Sequence, residues 1–311
     1  MSRIKKFINT IALNLKTTVT RFPIALLFLA SITTIVYIEI ERNFAFDDDL
    51  LERLIFSGIV GTFLAITVQF MLERFKNLSK YTLLFHGFTF VLAANYYFFM
   101  TSDDISQSML IHLFVITFAL FAAYLYIPSA KNSVNFGNVA LSHFKAAFTA
   151  LLYGFVLYLG FAAITGAIDL LLYELDYDVY SHIANIVFTF FTPVYYLSLL
   201  PKFNSEDEKN AVKKEVSYSF PRVLEILVSY IMIPLISIFS IVLIIYFIKI
   251  LVTGVWPVGQ VGPMVLGYSA AGYLIYILGT NLQNRFSVLF RKFFPIVLIP
   301  LVIMQLVSSY I

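Results

Sequence analysis

Residues 226–251 read ILVSYIMIPLISIFSIVLIIYFIKIL, and this stretch decides the fold class. It carries a single charged side chain, Lys249, near its far end. A helix needs about 20 apolar residues to cross the roughly 30 Å hydrocarbon core of a bilayer. Because lipid offers no partner for an unpaired main-chain group, we predict that this stretch is a membrane-spanning helix.

The rest of the chain has the same character. Of its 311 residues, 60% are hydrophobic and only 13% are charged, and the mean hydropathy is +0.87. A soluble domain carries roughly 25% charged residues, so this chain could not cover a water-exposed surface. The absence of cysteine excludes disulfides, thiolate metal sites and cysteine nucleophiles. We therefore predict an all-α, polytopic bundle of transmembrane helices.

Apolar runs of spanning length predict about nine transmembrane helices. They are Phe22–Ile40, Leu54–Leu72, Tyr81–Met100, Met109–Tyr126, Ala147–Leu172, Ile183–Leu200, Ile226–Leu251, Met264–Leu282 and Phe294–Ile311. With these spans, 18 of the 21 lysines and arginines fall on one side, and only Arg42, Arg53 and Lys249 fall at the other. Short basic loops stay in the cytoplasm. The amino terminus is therefore predicted to be cytoplasmic.

The predicted organisation has four parts. Residues 1–21 form a cytoplasmic amphipathic segment, 22–126 hold four spans, 127–145 form a cytoplasmic connector, and 146–311 form a core of five spans. Within that core the charged loop 201–222 also lies on the cytoplasmic side. This loop could bind a protein partner or could simply be a solvated connector, and both alternatives stay open.

Small residues predict where helices approach one another closely, because a small side chain lets two backbones come together in lipid. In the fifth span these residues are Gly160, Ala163, Gly166 and Ala167, and in the eighth they are Gly267 and Ala271.

Motifs for catalysis are absent from the sequence. There is no phosphate-binding G-x-x-x-x-G-K-[ST], no H-E-x-x-H and no G-x-S-x-G. The four histidines, His86, His112, His143 and His182, lie in different segments without metal-ligand spacing. We therefore predict no catalytic residue, no cofactor and no metal site, and we do not expect an enzyme.

Asp169 is the first candidate for a functional polar residue. It lies in GAIDLLLYELDYDVY (166–180), inside an apolar run, and a buried acid in a membrane is costly enough to suggest function. The acids that follow are interpreted as the water-exposed end of the helix. A weaker alternative is a calcium site on Glu174, Asp178 and His182, which would share one face if the helix continued past Leu172.

Further candidate positions lie at the seventh span and in the loop after it. Pro234 would bend the span and act as a hinge. Tyr246 and Lys249 lie toward its outer end, where a lysine can reach the headgroups. The uncharged loop that follows contains Trp256, which suits the membrane interface, and Pro257 and Gly259, which are predicted to form a compact turn.

The run from Pro221 to Gly279 resembles bacterial membrane proteins grouped as domain of unknown function 4153. The resemblance rests on the proline of YIMIPL, on Tyr246-x-x-Lys249-Ile250, and on Trp256-Pro257-x-Gly259. It implies a multi-pass protein of a bacterial inner membrane, but no biochemical activity. It also implies that relatives continue beyond the point where this sequence ends in VSSYI.

We favour transport, or the handling of a lipid or an envelope precursor, through the core of spans five to nine. The alternative is a membrane-embedded scaffold or sensor subunit that acts through a protein partner at loop 201–222. An intramembrane enzyme ranks third, because few polar residues converge at one depth. Membrane lipids are expected partners, and nucleic acid is not.

Overall fold

The computed structural model describes residues 17–42, 49–99, 107–132, 135–202, 220–254, 261–279, 282 and 284–310. The α-helices in these ranges are α1 Pro23–Glu41, α2 Asp49–Arg74, α3 Thr82–Phe99, α4 Gln107–Tyr126, α5 Phe136–Leu171, α6 Asp178–Asn185, α7 Thr192–Leu199, α8 Phe220–Ile226, α9 Ile233–Thr253, α10 Val261–Leu278 and α11 Arg285–Tyr310. Short 3-10 helices cover Lys76–Tyr81 and Ile127–Asn132. Residues Ile186–Phe191 and Leu227–Met232 are π-helical.

The all-α polytopic prediction is confirmed. Within the described residues, eight helical stretches are long and apolar enough to cross a membrane, and Met264–Leu278 is a shorter apolar helix. Large apolar side chains point outward from them, such as Leu83 at 88% exposed and Leu266 at 72%. Exposed apolar surface on this scale is the surface that lipid covers.

Two spans contain a π segment followed at once by proline. In the sixth span Ile186–Phe191 precedes Pro193, and in the seventh Leu227–Met232 precedes Pro234. Proline has no N–H to donate four residues back, so an α-helix loses a hydrogen bond there. At each π segment the residue before the proline donates five residues back instead, from Thr192 to Val187 and from Ile233 to Val228. A π segment of this kind is common at functional sites in helical proteins.

The chain divides into two compact units. The amino-terminal unit contains residues 7–151 and 184–216, and the carboxy-terminal unit contains 152–183 and 217–311. In the amino-terminal unit α2 contacts α1, α3 and α4. Its core is built largely of aromatic rings and leucines, among them Phe22, Phe70, Tyr124 and Leu197.

In the carboxy-terminal unit, α9, α10 and α11 contact one another. Val228, Leu243, Leu301 and Met304 are almost completely buried in its core. The buried Tyr153 of α5 donates a hydrogen bond of 2.7 Å to the carbonyl of Val223 and so ties α5 to α8. Gly254, with φ 66°, ends α9 in the left-handed conformation that favours glycine.

The small-residue prediction is correct at Gly160 and wrong at Gly267. A Cβ on Gly160 would collide with Leu235 of α9, so the absence of a side chain there lets the two helices pack. A Cβ on Gly267 would meet nothing within 4 Å, because Gly267 and Ala271 are exposed. The close contact of α10 lies at Gly272, where a Cβ would collide with the ring of Phe294. Helical spacing alone did not reveal which face of α10 meets its neighbour.

Candidate functional site

The carboxyl end of α5 brings together two of the predicted residues. Lys249 Nζ donates hydrogen bonds to the carbonyl oxygens of Leu171 at 3.1 Å and Leu172 at 2.9 Å. The last carbonyls of a helix have no partner within the helix and carry partial negative charge. The lysine therefore caps the carboxyl end of α5 from α9.

Asp169 has a structural partner as well. Its Oδ1 accepts a hydrogen bond of 2.7 Å from the N–H of Leu175, which lies in the segment that follows α5. This contact turns the chain out of the helix, and the carboxylate stays half-buried. Asp169 and Lys249 thus both act on the end of α5, one through the turn and the other through the carbonyls.

The acids beyond Leu171 lie where the helix has ended. Glu174 and Asp176 are exposed in the non-helical segment, and a new helix begins at Asp178. The calcium alternative required one continuous helix through Glu174, Asp178 and His182, and the break after α5 removes that shared face. No cluster of three or more metal-binding side chains occurs in the described ranges.

A polar cluster lies at the other end of the seventh span. Ser229, in the π segment, is fully buried, and its Oγ is 3.1 Å from Oγ of Ser287 on α11. Asn284 Nδ2 donates to Ser229 Oγ at 2.6 Å, and Asn284 Oδ1 accepts from the N–H of Ser287 at 2.9 Å. Asn284 therefore caps the start of α11 and also closes this cluster.

A third polar contact lies midway along the same span. Ser240 Oγ is 2.7 Å from the hydroxyl of Tyr268 on α10, and Tyr268 is buried. From Ser229 to Lys249 the span rises by about 30 Å at about 1.5 Å per residue, which is about the hydrocarbon thickness. Polar contacts therefore occur near both ends and near the middle of one span, all within the carboxy-terminal unit.

The remaining predicted positions differ in how they are placed. Pro234 is the second residue of α9, directly after the π segment. Tyr246 is 6% exposed and belongs to the carboxy-terminal core, so its ring packs among apolar side chains. Trp256, Pro257 and Gly259 lie outside the described residues, as does most of loop 201–222.

Three polar groups of the amino-terminal unit were not predicted. Arg21 forms an ion pair with Glu73 at 2.8 Å. In the sixth span Asn185 donates to the carbonyl of Thr33 at 2.9 Å and accepts from Thr189 Oγ1 at 2.6 Å. The third group joins the buried His143 and Tyr124 to Tyr196, which lies more than 50 residues from each of them in sequence. The Tyr196 hydroxyl is 2.6 Å from His143 Nδ1 and 3.1 Å from the Tyr124 hydroxyl.

Few features of the sequence indicate these three polar groups. A charged residue at the end of an apolar run, such as Arg21 or Glu73, usually reports only a span boundary. Nothing in the spacing of His143 indicates that a tyrosine from another span reaches it.

Comparison with known proteins identifies a family. The family described as domain of unknown function (DUF4153) matches residues 22–311, which is nearly the whole chain and extends well beyond the run that carried the resemblance. No curated protein and no solved structure gives a significant match. The chain therefore belongs to the family described as domain of unknown function (DUF4153).

Proposed function

We propose that this multi-pass membrane protein transports or handles a lipid or an envelope precursor through its carboxy-terminal unit. The observation that carries the proposal is the series of polar contacts along the seventh span, at Ser229, Ser240 and Lys249. Polar side chains of different helices that meet inside a membrane can line the path of a polar substrate. A substrate with a polar headgroup needs such partners to cross the hydrocarbon layer.

The contacts at Ser229 and Ser240 suit a path because they can be exchanged. Each joins hydroxyl or amide groups, and hydrogen bonds between membrane helices contribute on average only about 0.6 kcal/mol. A headgroup can replace one partner at little cost, since it supplies a hydrogen bond of the same kind. The π segment before Pro234 adds a place where the span can bend.

Two serines of α9 provide a matched test. Ser237 and Ser240 each donate to the carbonyl four residues back at 2.7 Å, but only Ser240 also contacts Tyr268. Ser237 is exposed on the outer surface of its helix, where lipid would cover it. Because the chain has no native cysteine, Ser240→Cys and Ser237→Cys each create a single thiol.

The measurement is labelling of each variant in native membranes by a charged, water-soluble thiol reagent. We expect Ser240→Cys to react and Ser237→Cys to remain unlabelled, because only the first would face a hydrated path. Labelling of both thiols in denaturant verifies that each is reactive. If Ser240→Cys were as inert as Ser237→Cys in the membrane, the path would be absent and the transport proposal would fail.

A scaffold function has one observation in its favour. Arg21 donates to the carbonyls of Leu200 at 2.6 Å and Pro201 at 2.9 Å, so the chain is held at the point where loop 201–222 begins. Because its first residue is held in place, the loop would have a defined position in which to bind a protein partner. Replacing the charged residues Glu206–Lys209 by serine and glycine should then dissociate a defined complex on native gels without changing the labelling of Ser240→Cys. An unchanged complex would remove this alternative.

A further inference from the structure

A polar pocket in the amino-terminal unit lies apart from the contacts of the seventh span that carry the transport proposal. Its volume is about 280 Å³, and its lining residues are Thr17, Thr20, Arg21, Gln69, Glu73 and Lys202. They come from the turn before α1, the last turns of α2 and the residues after α7. These three places lie at the predicted cytoplasmic ends of spans one, two and six, so the pocket is expected at the level of the lipid headgroups.

Arg21 forms the rigid base of this pocket. Its Nε and one terminal nitrogen bind the two oxygens of Glu73 at 2.8 and 2.9 Å, a bidentate pair. Two further N–H groups bind the carbonyls of Leu200 and Pro201. The guanidinium also lies over the rings of Phe22 and Phe70, at 4.7 and 5.6 Å from their centroids. Because this many contacts hold the Arg21 side chain in place, the floor of the pocket keeps its shape.

The charge of the lining is positive. Arg21 and Lys202 contribute two positive charges and Glu73 one negative charge, which leaves a net charge of +1. Glu73 is occupied by Arg21 and by Gln69 Nε2, which donates to it at 3.0 Å. Lys202 is exposed, and within the described residues no carboxylate pairs with it. Among the described residues that line the pocket, the positive charge without a paired carboxylate is therefore that of Lys202.

The neutral lining residues match the chemistry of a phosphate group. Thr17 and Thr20 contribute hydroxyl groups, and the Thr20 hydroxyl donates at 3.1 Å to the carbonyl of Thr17, a bond that a phosphate oxygen would replace. An N–H of Arg21 Nη1 is not used by the four hydrogen bonds of that guanidinium. Phosphate oxygens accept from hydroxyl, ammonium and guanidinium donors. The pocket is somewhat smaller than the roughly 300–1,000 Å³ of a site for a drug-sized ligand, so it suits a headgroup and not a whole lipid.

We propose that this pocket binds a singly or doubly charged phosphate group at the membrane surface. The phosphate can belong to an anionic phospholipid or to a soluble phosphate ester, and both would place it between Lys202 and the threonine hydroxyls. Basic pockets at the cytoplasmic side of membrane helices commonly hold phospholipid headgroups. The site does not depend on the transport function proposed above, because its residues belong to the other unit.

The test is lipid binding to the purified, full-length protein in detergent, measured by native mass spectrometry. The probes are phosphatidylglycerol, phosphatidylcholine as a lipid without net charge, and glycerol phosphate as a soluble competitor. Lys202→Ala should weaken phosphatidylglycerol binding about fivefold, the effect of one basic residue near a charged headgroup. Lys202→Glu should weaken it further. Phosphatidylcholine binding should change little.

Lys80→Ala is the matched control, since Lys80 is also exposed, lies in the same unit at the same predicted side, and does not line the pocket. We expect it to leave phosphatidylglycerol binding unchanged. Competition by glycerol phosphate would identify a soluble ester as a ligand, and lack of competition would identify the lipid. Equal losses in Lys202→Ala and Lys80→Ala, or no loss in either, would overturn the proposal.

Discussion

The two units are held together by different chemistry. In the amino-terminal unit a buried arginine joins α2 to the residues after α7 through an ion pair and two main-chain carbonyls. In the carboxy-terminal unit Ser229 and Ser240 join spans through hydroxyl and amide groups, and the cations of Lys249 and Arg291 bind main-chain carbonyls. Charge-assisted hydrogen bonds are roughly twice as strong as neutral ones. The amino-terminal unit is therefore fastened by a buried ion pair, whereas the contacts at Ser229 and Ser240 in the other unit are neutral and can be exchanged.

The two units have one structural feature in common, a π segment directly before a proline. Each has a span in which a π segment precedes proline, and each has a buried amide and hydroxyl cluster beside that segment. In the amino-terminal unit Thr192 Oγ1 also binds the carbonyl of Val187, whereas the corresponding Ile233 has no hydroxyl for Val228. The π segment of the seventh span is therefore held by one side-chain hydrogen bond fewer at this position than that of the sixth span.

The largest effect is expected from breaking the ion pair. Arg21→Ala leaves Glu73 partly buried without its partner, and removal of one member of a buried pair costs about 3–5 kcal/mol. Because Glu73 is 19% exposed, we expect the lower end of that range in the free energy of unfolding, measured by denaturant titration in detergent. Lys80→Ala, at an exposed position of the same unit, should change stability by less than about 0.5 kcal/mol. Equal effects would show that the amino-terminal unit is not fastened by charge.

The next effect concerns packing in the carboxy-terminal unit. Gly272→Ala places a methyl group against the ring of Phe294, and overpacking costs about 1–3 kcal/mol. Gly267→Ala meets nothing, so it should stabilise the helix by up to about 1 kcal/mol through its better helix propensity. Thermal unfolding of the two variants should therefore shift in opposite directions. Shifts of the same sign would contradict the assigned face of α10.

A smaller effect is expected at the two buried hydroxyl and amide clusters, one around Ser229 and one around Asn185. Ser229→Ala leaves Asn284 Nδ2 and Ser287 Oγ without their shared partner, and Thr189→Val leaves Asn185 Oδ1 without the hydroxyl that donates to it. Each loss should be about 1 kcal/mol in the free energy of unfolding, within the range measured for membrane proteins. Ser237→Ala is the control, because its hydroxyl binds only its own helix. If the control lost as much stability, the clusters would have no special role.

The smallest effect is expected at Lys249. Lys249→Met removes the cation from the carboxyl end of α5, which is worth about 0.3–1 kcal/mol at an exposed position. Lys249→Arg keeps the charge and should retain most of the stability, and Lys292→Met, at an exposed position of α11, should have no effect. A large loss in Lys249→Met with unchanged stability in Lys249→Arg would indicate more than helix capping.

Most predicted span ends agree with the helix ends to within about six residues, but the fifth and ninth spans start at Phe136 and Arg285 and not at Ala147 and Phe294. Hydropathy locates a span because lipid selects for apolar residues, but it does not see a helix that continues beyond the bilayer. Of the predicted polar positions, Asp169 and Lys249 both act on the end of α5, although the sequence separates them by 80 residues. Their functional roles remain predictions.

By itself the sequence determined the all-α polytopic fold, the family and the helical spans, because the cost of exposing polar groups to lipid acts on each segment independently. Only the tertiary structure decided which polar residues meet. Arg21 reaches Glu73 and Leu200, and Ser240 reaches Tyr268, because separate spans pack side by side. Contacts of this kind depend on the rotation and depth of each helix, and neither quantity can be predicted from the hydropathy of a single span.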